Sequence, residues 1–364
     1  MKMNLFENIN RTFNGPLTRE ISHYDYLRTS VRPEISELCN TLENWFGNFN
    51  GDRSEFLGRF RNKDEKQHSG AYFELFVFEY FRRLNYNVKF GRPDIQVIKN
   101  EQTKFYIECT LSPRSDFSQG QLDHIERIKE GIKTVQPNNR SILFKILKYG
   151  HQSPPTKKIN SFLKTKLANQ FSVPKDQEVL HFSSQGWKFE FVLYPIDEPK
   201  IETPPVINCF TSFLEIDPIK KLLLSLSKKK ASKYSKKSIP YIIAINSDDM
   251  YLGENEIEEA LFGRVMLRMD TGELVRDSRG FWVDKNRPIN THISGIIISK
   301  GLRPLDWPTK FELWHNPYAK NPLSNSLIPI DQIEYLRNDG RYLNKVETRG
   351  TLYTEIMGLS DIKW

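Results

Sequence analysis

Between Ala71 and Leu84 the chain reads Ala-Tyr-Phe-Glu-Leu-Phe-Val-Phe-Glu-Tyr-Phe-Arg-Arg-Leu, apolar around nearly the whole circumference of a helix. A helix that is hydrophobic all round does not lie on a surface, so this segment of about four turns is predicted to be buried, with other elements packed around it. Such a helix needs a large core, and 364 residues are enough for one large domain with extensions or for two domains. Hydrophobic residues at 38% and charged residues at 27% fit an ordered globular chain rather than a disordered one.

The segments after this helix predict its surroundings. Val88 to Phe90 forms a short strand, Gly91-Arg92-Pro93 a turn, and Asp94 to Ile98 and Lys104 to Leu111 two alternating runs around a polar connection, which is a hairpin signal. Gln121 to Val135 places Leu122, Ile125, Ile128 and Ile132 at helical spacing, and Ile142 to Leu147 suits a buried strand. Residues 1–66 are predicted to be an accessory helical region, with a helical pattern from Ile35 to Phe46, and residues 67–150 the core. After a proline-containing linker, residues 151–364 read as an α/β extension that continues the same sheet. It has a helix near Lys158 to Gln170, a strand from Trp187 to Tyr194, a helix near Asp217 to Tyr234, and a continuous apolar run from Ile239 to Asn246 that suits a strand covered on both faces.

Alternation puts Phe105, Ile107, Cys109 and Leu111 on one face of a strand and Lys104, Tyr106, Glu108 and Thr110 on the other. With a connection symmetric about Glu101, Ile98 pairs with Lys104, Gln96 with Tyr106 and Asp94 with Glu108. Like charges directly opposite destabilise a sheet, so that pair calls for a cation or a shifted proton. Two carboxylates with retained waters suit Mg²⁺ (or Mn²⁺), which polarises a phosphoryl oxygen and activates water. Glu74 has Gly70, Ala71, Val77 and Phe78 one turn away and no helical ion-pair partner, whereas Glu79 can pair with Arg83. Bland readings also exist: Glu74 hydrogen-bonding the N-terminal region, and Asp94 capping the turn after Pro93.

A helix glutamate, a Pro93-Asp94 step opening a strand, and Glu108-Cys109-Thr110 ending the next resemble the PD-(D/E)xK nuclease superfamily over roughly residues 68–147. The resemblance implies a restriction-endonuclease-like αβββαβ core, with Asp94 and Glu108 as metal ligands and Glu74 as an accessory ligand or water-positioning group. It implies a metal-dependent endonuclease acting on DNA, in bacterial defence or repair. The family's lysine two residues after the acid is Thr110 here, and Gln121 or Lys145 are candidates to reach in. Gly70 to Glu74, Tyr106 to Thr110, Ala260-Leu261-Phe262-Gly263 and Trp314-His315-Asn316-Pro317-Tyr318-Ala319 are similar to uncharacterised bacterial proteins with an E-x-T version of this core. The other class of function is a catalytically inactive nucleic-acid-binding or assembly module on the same fold.

The net charge of +8 favours an anionic partner. Lys228, Lys229, Lys230, Lys233, Lys236 and Lys237, with Tyr234 among them, make a basic run that reads equally as phosphate-backbone contact or as a solvated helix end. His315 reads as a structural histidine before an acid or a ligand, and Asp248 and Asp249 as turn or cap residues. Cys39, Cys109 and Cys209 lack CxxC spacing, which argues against a disulfide framework or a zinc site. The chain has no phosphate-binding GxxxxGK[ST] loop, so a motor would have to come from a partner; a homodimer, or a partner protein adding a motor or specificity, is compatible with this reading. With no apolar run of about 18 residues and no leader pattern, the expected location is cytoplasmic.

Overall fold

A computed structural model of the chain describes residues 3–7, 9–18, 21–112, 119–135, 140–150, 152–168, 178–195, 207–208, 218–227, 238–249, 251–272, 274–277, 279–303, 305, 307–308, 310–338 and 342–359. The chain divides into two compact units, Met1–Arg114 with Pro218–Trp364, and Ser115–Asp217.

The first unit opens with four helices, α1 (His23–Thr29), α2 (Pro33–Gly47), α3 (Arg53–Phe60) and α4 (Glu65–Arg83), followed by β1 (Asn87–Phe90), β2 (Ile95–Lys99) and β3 (Gln102–Ser112). Three of the helices start on side-chain caps. Ser22 accepts from the N–H of Asp25, Asp52 from those of Ser54 and Glu55, and Asp64 from that of Lys66, which satisfies donors the helices cannot pair internally. Helix α4 is the all-round apolar segment, buried from Ala71 to Phe73 and from Leu75 to Phe81. At its end Arg82 and Arg83 both hold the buried Glu79 carboxylate, the second at the expected i+4 spacing.

The second unit holds α5 (Gln119–Lys133), β4 (Arg140–Lys148), α6 (Thr156–Ala168), β5 (Glu178–Ser184), β6 (Trp187–Pro195) and β7 (Ile207–Asn208). Its sheet runs β5-β6-β4-β7. Ile125, Ile128 and Ile132 of α5 and Ile159 and Leu163 of α6 pack on Ile142, Phe144, Ile146, Phe189 and Phe191, so both helices cover one face.

The chain then returns to the first unit with α7 (Pro218–Ser227), β8 (Tyr241–Ser247), α8 (Glu254–Phe262), the hairpins β9 (Val265–Leu267) with β10 (Leu274–Arg276) and β11 (Val283–Asp284) with β12 (Arg287–Pro288), β13 (Gly295–Lys300), β14 (Lys310–His315), β15 (Asp331–Asn338), β16 (Tyr342–Thr348) and α9 (Tyr353–Met357). One mixed sheet of eight strands, in the order β1-β2-β3-β8-β13-β14-β15-β16, spans this unit. Strands β1 to β3 are antiparallel neighbours, while β3, β8 and β13 run parallel. Every residue of β8 is buried, as its continuous apolar run predicts.

Two hydrophobic clusters cover the two faces of this sheet. Phe105, Ile107, Ile242 and Ala244 pack with α2, α3 and α4 on one side. Tyr106, Ile243, Ile245 and Ile296 pack with Leu222 and Leu226 of α7 and Ile257 and Leu261 of α8 on the other. At the sheet edge, the side-chain amide of Asn50 donates to the carbonyl of Val88 and accepts from the N–H of Phe90, so one residue stands in for part of a strand beside β1.

The order of elements departs from the sequence reading at one point. The helix and strand expected to follow β3 in the core, now α5 and β4, belong to the second unit, and the strand beside β3 is β8, preceded by α7. Periodicity identifies a strand and its buried faces but not its neighbour, so an inserted unit with its own helix-strand order is invisible to it. Among the described residues no helix is long and apolar enough to cross a membrane.

Candidate active site

Strand β3 carries the pair singled out by the sequence. Gln96 lies opposite Tyr106 and Ile95 opposite Ile107, so the register extended by one residue sets Asp94 across from Glu108. The connection differs from the symmetric loop expected. Asn100 and Glu101 both have positive φ (52° and 60°) in a two-residue turn between Lys99 and Gln102, and a bulge between Val97 and Ile98 pairs Ile98 with Thr103 instead of Lys104. The bulge lies on the turn side of Gln96, so the register on the Asp94 side is unaffected.

The Asp94 carboxylate is tied to the neighbouring strand: Oδ2 accepts from the backbone N–H of Cys109 at 2.8 Å. Glu108, one residue earlier, is only 3% exposed. Its face, opposite that of Ile107 as alternation predicts, lies under the α7 and α8 cluster, with Ile243 of β8 at its level. Removing a carboxylate this far from water costs several kcal/mol (about 2–7 even for a neutral polar group) unless a cation, a proton or strong donors compensate it.

Glu74 is placed elsewhere. The guanidinium of Arg59 on α3 grips it with two parallel bonds, Nη1 to Oε1 at 2.8 Å and Nη2 to Oε2 at 2.7 Å. Burial by itself would lower the Arg59 pKa, but hydrogen bonds and charge from Glu74 and Glu55 outweigh it and raise the pKa. Helix α4 packs on the Ile107 side of β3, whereas Glu108 points to the other. The three acids therefore do not converge, and among the described residues no group of three or more His, Cys, Asp or Glu side chains could hold a metal ion. This is the plainer of the sequence readings, a hydrogen bond from Glu74 to the N-terminal region; the sequence did not name Arg59, because i+3 and i+4 spacing reports only partners on the same helix.

Thr110 sits two residues beyond Glu108 on the same face, half-buried and level with Ile245. Gln121 lies in α5 of the second unit, with its side chain outside the described residues. Lys145 lies on β4 of that unit, where it pairs with Glu190 at 2.9 Å. All six lysines from Lys228 to Lys237, with Tyr234, lie outside the described residues, as does Cys209; Cys39 and Cys109 are buried. His315 is a buried histidine whose Nε2 meets Gln332 Oε1 at 2.7 Å. Asp249 caps the turn after β8 by accepting from the N–H of Tyr251, and pairs with Lys221 of α7 at 3.0 Å.

A second titratable cluster lies among the N-terminal helices. Glu65 accepts from the N–H of His23 and also meets its ring, and the ring of His68 is buried beside them. Burial pushes the His68 pKa down to about 4, against a contact of Nδ1 with the Phe60 carbonyl that works the other way.

No family model, curated protein or solved structure matches this chain. The donor chemistry therefore stands on these residues alone. Asp94 and Glu108 offer only carboxylate oxygens, donors that suit a divalent cation keeping most of its waters better than they suit zinc.

Proposed function

We propose that the first unit is a restriction-endonuclease-like nuclease that hydrolyses phosphodiester bonds of DNA with Mg²⁺ or Mn²⁺. The observation that carries this reading is the buried Glu108 on β3, with Asp94 across the register and bonded to the next peptide N–H. The order of elements supports it: a buried helix, three antiparallel strands, then a helix and a strand parallel to the third, as α4-β1-β2-β3-α7-β8 with the second unit inserted between β3 and α7.

In this reading Asp94 and Glu108 hold the metal, which when bound supplies polarisation of the phosphoryl oxygen and activation of water. The Cys109 N–H fixes the Asp94 carboxylate against rotation, and α7 and α8 pack over the face of β3 that carries Glu108. Thr110 can donate one neutral hydrogen bond to a phosphate oxygen, where the family's lysine would contribute a charge. Glu74 clamps α3 to α4 through Arg59 and has no direct part in the chemistry.

The test is incubation of wild type and Glu108→Ala with supercoiled plasmid, linear duplex, single strands and RNA, each with Mg²⁺, Mn²⁺ or EDTA. Metal-dependent cutting of DNA by wild type alone is expected. The uncharged Thr110 favours a second reading, an inactive nucleic-acid-binding module. Metal-independent nucleic-acid binding without cutting under any of these conditions would establish that module instead.

A further inference from the structure

The second unit carries a feature that cleavage does not use. On the sheet face away from α5 and α6, successive rows of residues cross β5, β6 and β4. In one row Lys145 is bonded to Glu190, an ordinary opposite-charge pair. In the next, Lys188 lies directly across from Lys148 on one side and Ser183 on the other. Like charges placed directly opposite destabilise a sheet. Among the described residues neither ammonium has a carboxylate partner, and both residues are exposed.

These two lysines border a shallow, open cleft together with Ser183, Ser184, Gln185, Gly186 and Trp187, and among the described residues no carboxylate lines it. Its floor is rigid. Gln185 and Gly186 form a tight hairpin turn with φ of 53° and 81°, and the buried Trp187 donates through Nε1 to the Gln152 carbonyl at 3.0 Å. Gly150 completes the anchor, since a Cβ there would come within 2.3 Å of the Trp187 ring.

We infer that this cleft is a phosphate site, in which an oxyanion between Lys148 and Lys188 replaces their repulsion with two charge-assisted contacts while the hairpin hydroxyls and amides complete its shell. The inference goes beyond the proposed cleavage and does not require it. A nucleic-acid backbone is one source of such an oxyanion and would be contacted there without its sequence being read.

The test uses the full chain, deuterated, with the amide resonances of Ser184, Gln185 and Gly186 followed during titration with inorganic phosphate and, separately, with a DNA oligonucleotide. Saturable shifts with both are expected, with affinity at least about tenfold weaker in Lys148→Gln and Lys188→Gln, the scale of losing one hydrogen bond to a charged group. Shifts with phosphate alone would support the site and assign it to free phosphate or a phosphorylated small molecule. Thermal unfolding provides a second reading: phosphate should raise the midpoint of wild type, and Lys188→Gln should both abolish that rise and unfold at a higher temperature than wild type in phosphate-free buffer. No saturable shift with either ligand would overturn the inference whatever the cleavage assay shows, and loss of cleavage would leave the phosphate titration unaffected.

Discussion

The two faces of the central sheet are both buried, yet they carry charge in different places: on the packing helix on one side and on the strand itself on the other. Under α4, residues Phe105 and Ile107 meet Phe81, Tyr86 and other aromatic rings, and the nearby carboxylates Glu74 and Glu79 are each gripped by arginine guanidinium groups. Under α7 and α8, the same strand presents Tyr106, Glu108 and Thr110, so a carboxylate enters the sheet itself. On the first face the acids sit on the packing helix and are held by arginines, Glu79 at 1% exposure and Glu74 at 12%. The other keeps an acid inside the layer, where the cost of burial is worth bearing only for chemistry or for a specific structural bond.

The largest effect that separates the faces is on activity. Glu108→Ala is expected to lower metal-dependent cleavage by about a thousandfold, the scale of removing one catalytic group, while leaving the thermal midpoint within a few degrees of wild type. Unfolding of both Glu108→Ala and Glu108→Gln would show that the two faces are alike and that the acid is structural. On the packing face, Phe81→Ala should cost about 3–5 kcal/mol in chemical denaturation, because a fully buried ring in contact with Tyr80, Tyr86 and Phe105 leaves a cavity.

The arginine-held acids come next. Arg59→Ala should cost about 2–3 kcal/mol, since it strips two charge-assisted bonds from Glu74, whose side chain is only 12% exposed. Combining it with Glu74→Gln should restore part of that loss, and strictly additive losses would mean that the two side chains do not interact.

The pH response belongs to the same N-terminal layer. Burial keeps His68 neutral down to about 4, while in the unfolded chain its ring takes a proton near 6.5. Between those values the unfolded state binds the extra proton, so stability should fall as pH falls, by up to about 1.4 kcal/mol per unit. Glu65, whose pKa is held down by His23 against the opposing effect of burial, acts in the same direction, losing its contribution as it becomes protonated. His68→Leu should flatten the profile between pH 6.5 and 4, and an unchanged slope would remove His68 from the explanation. The smallest expected effect is Asn50→Ala, about 1 kcal/mol from two lost backbone bonds at the β1 edge, with no change in cleavage.

Much of this organisation was legible from residues 1–364 in order, because it depends on spacing along one element. The all-round apolar helix, the β2–β3 hairpin, the pairing of Glu79 with Arg83 and the fully buried strand from Tyr241 to Ser247 each follow from a period of 3.6 or 2, or from an uninterrupted apolar run. Alternation likewise separated Glu108 from Ile107, and the register opposite Asp94 followed from the count of residues back from Gln96 and Tyr106.

What only the tertiary structure decided is which distant segments meet. That β8 rather than β4 lies beside β3, that Arg59 of α3 grips Glu74 of α4, and that Lys148 of β4 faces Lys188 of β6 are all contacts between different elements, which spacing along any one of them does not report. Local propensity constrains the faces a segment must bury. Side-chain shape, strand register and the closure of the chain around an insertion choose the partner that buries them.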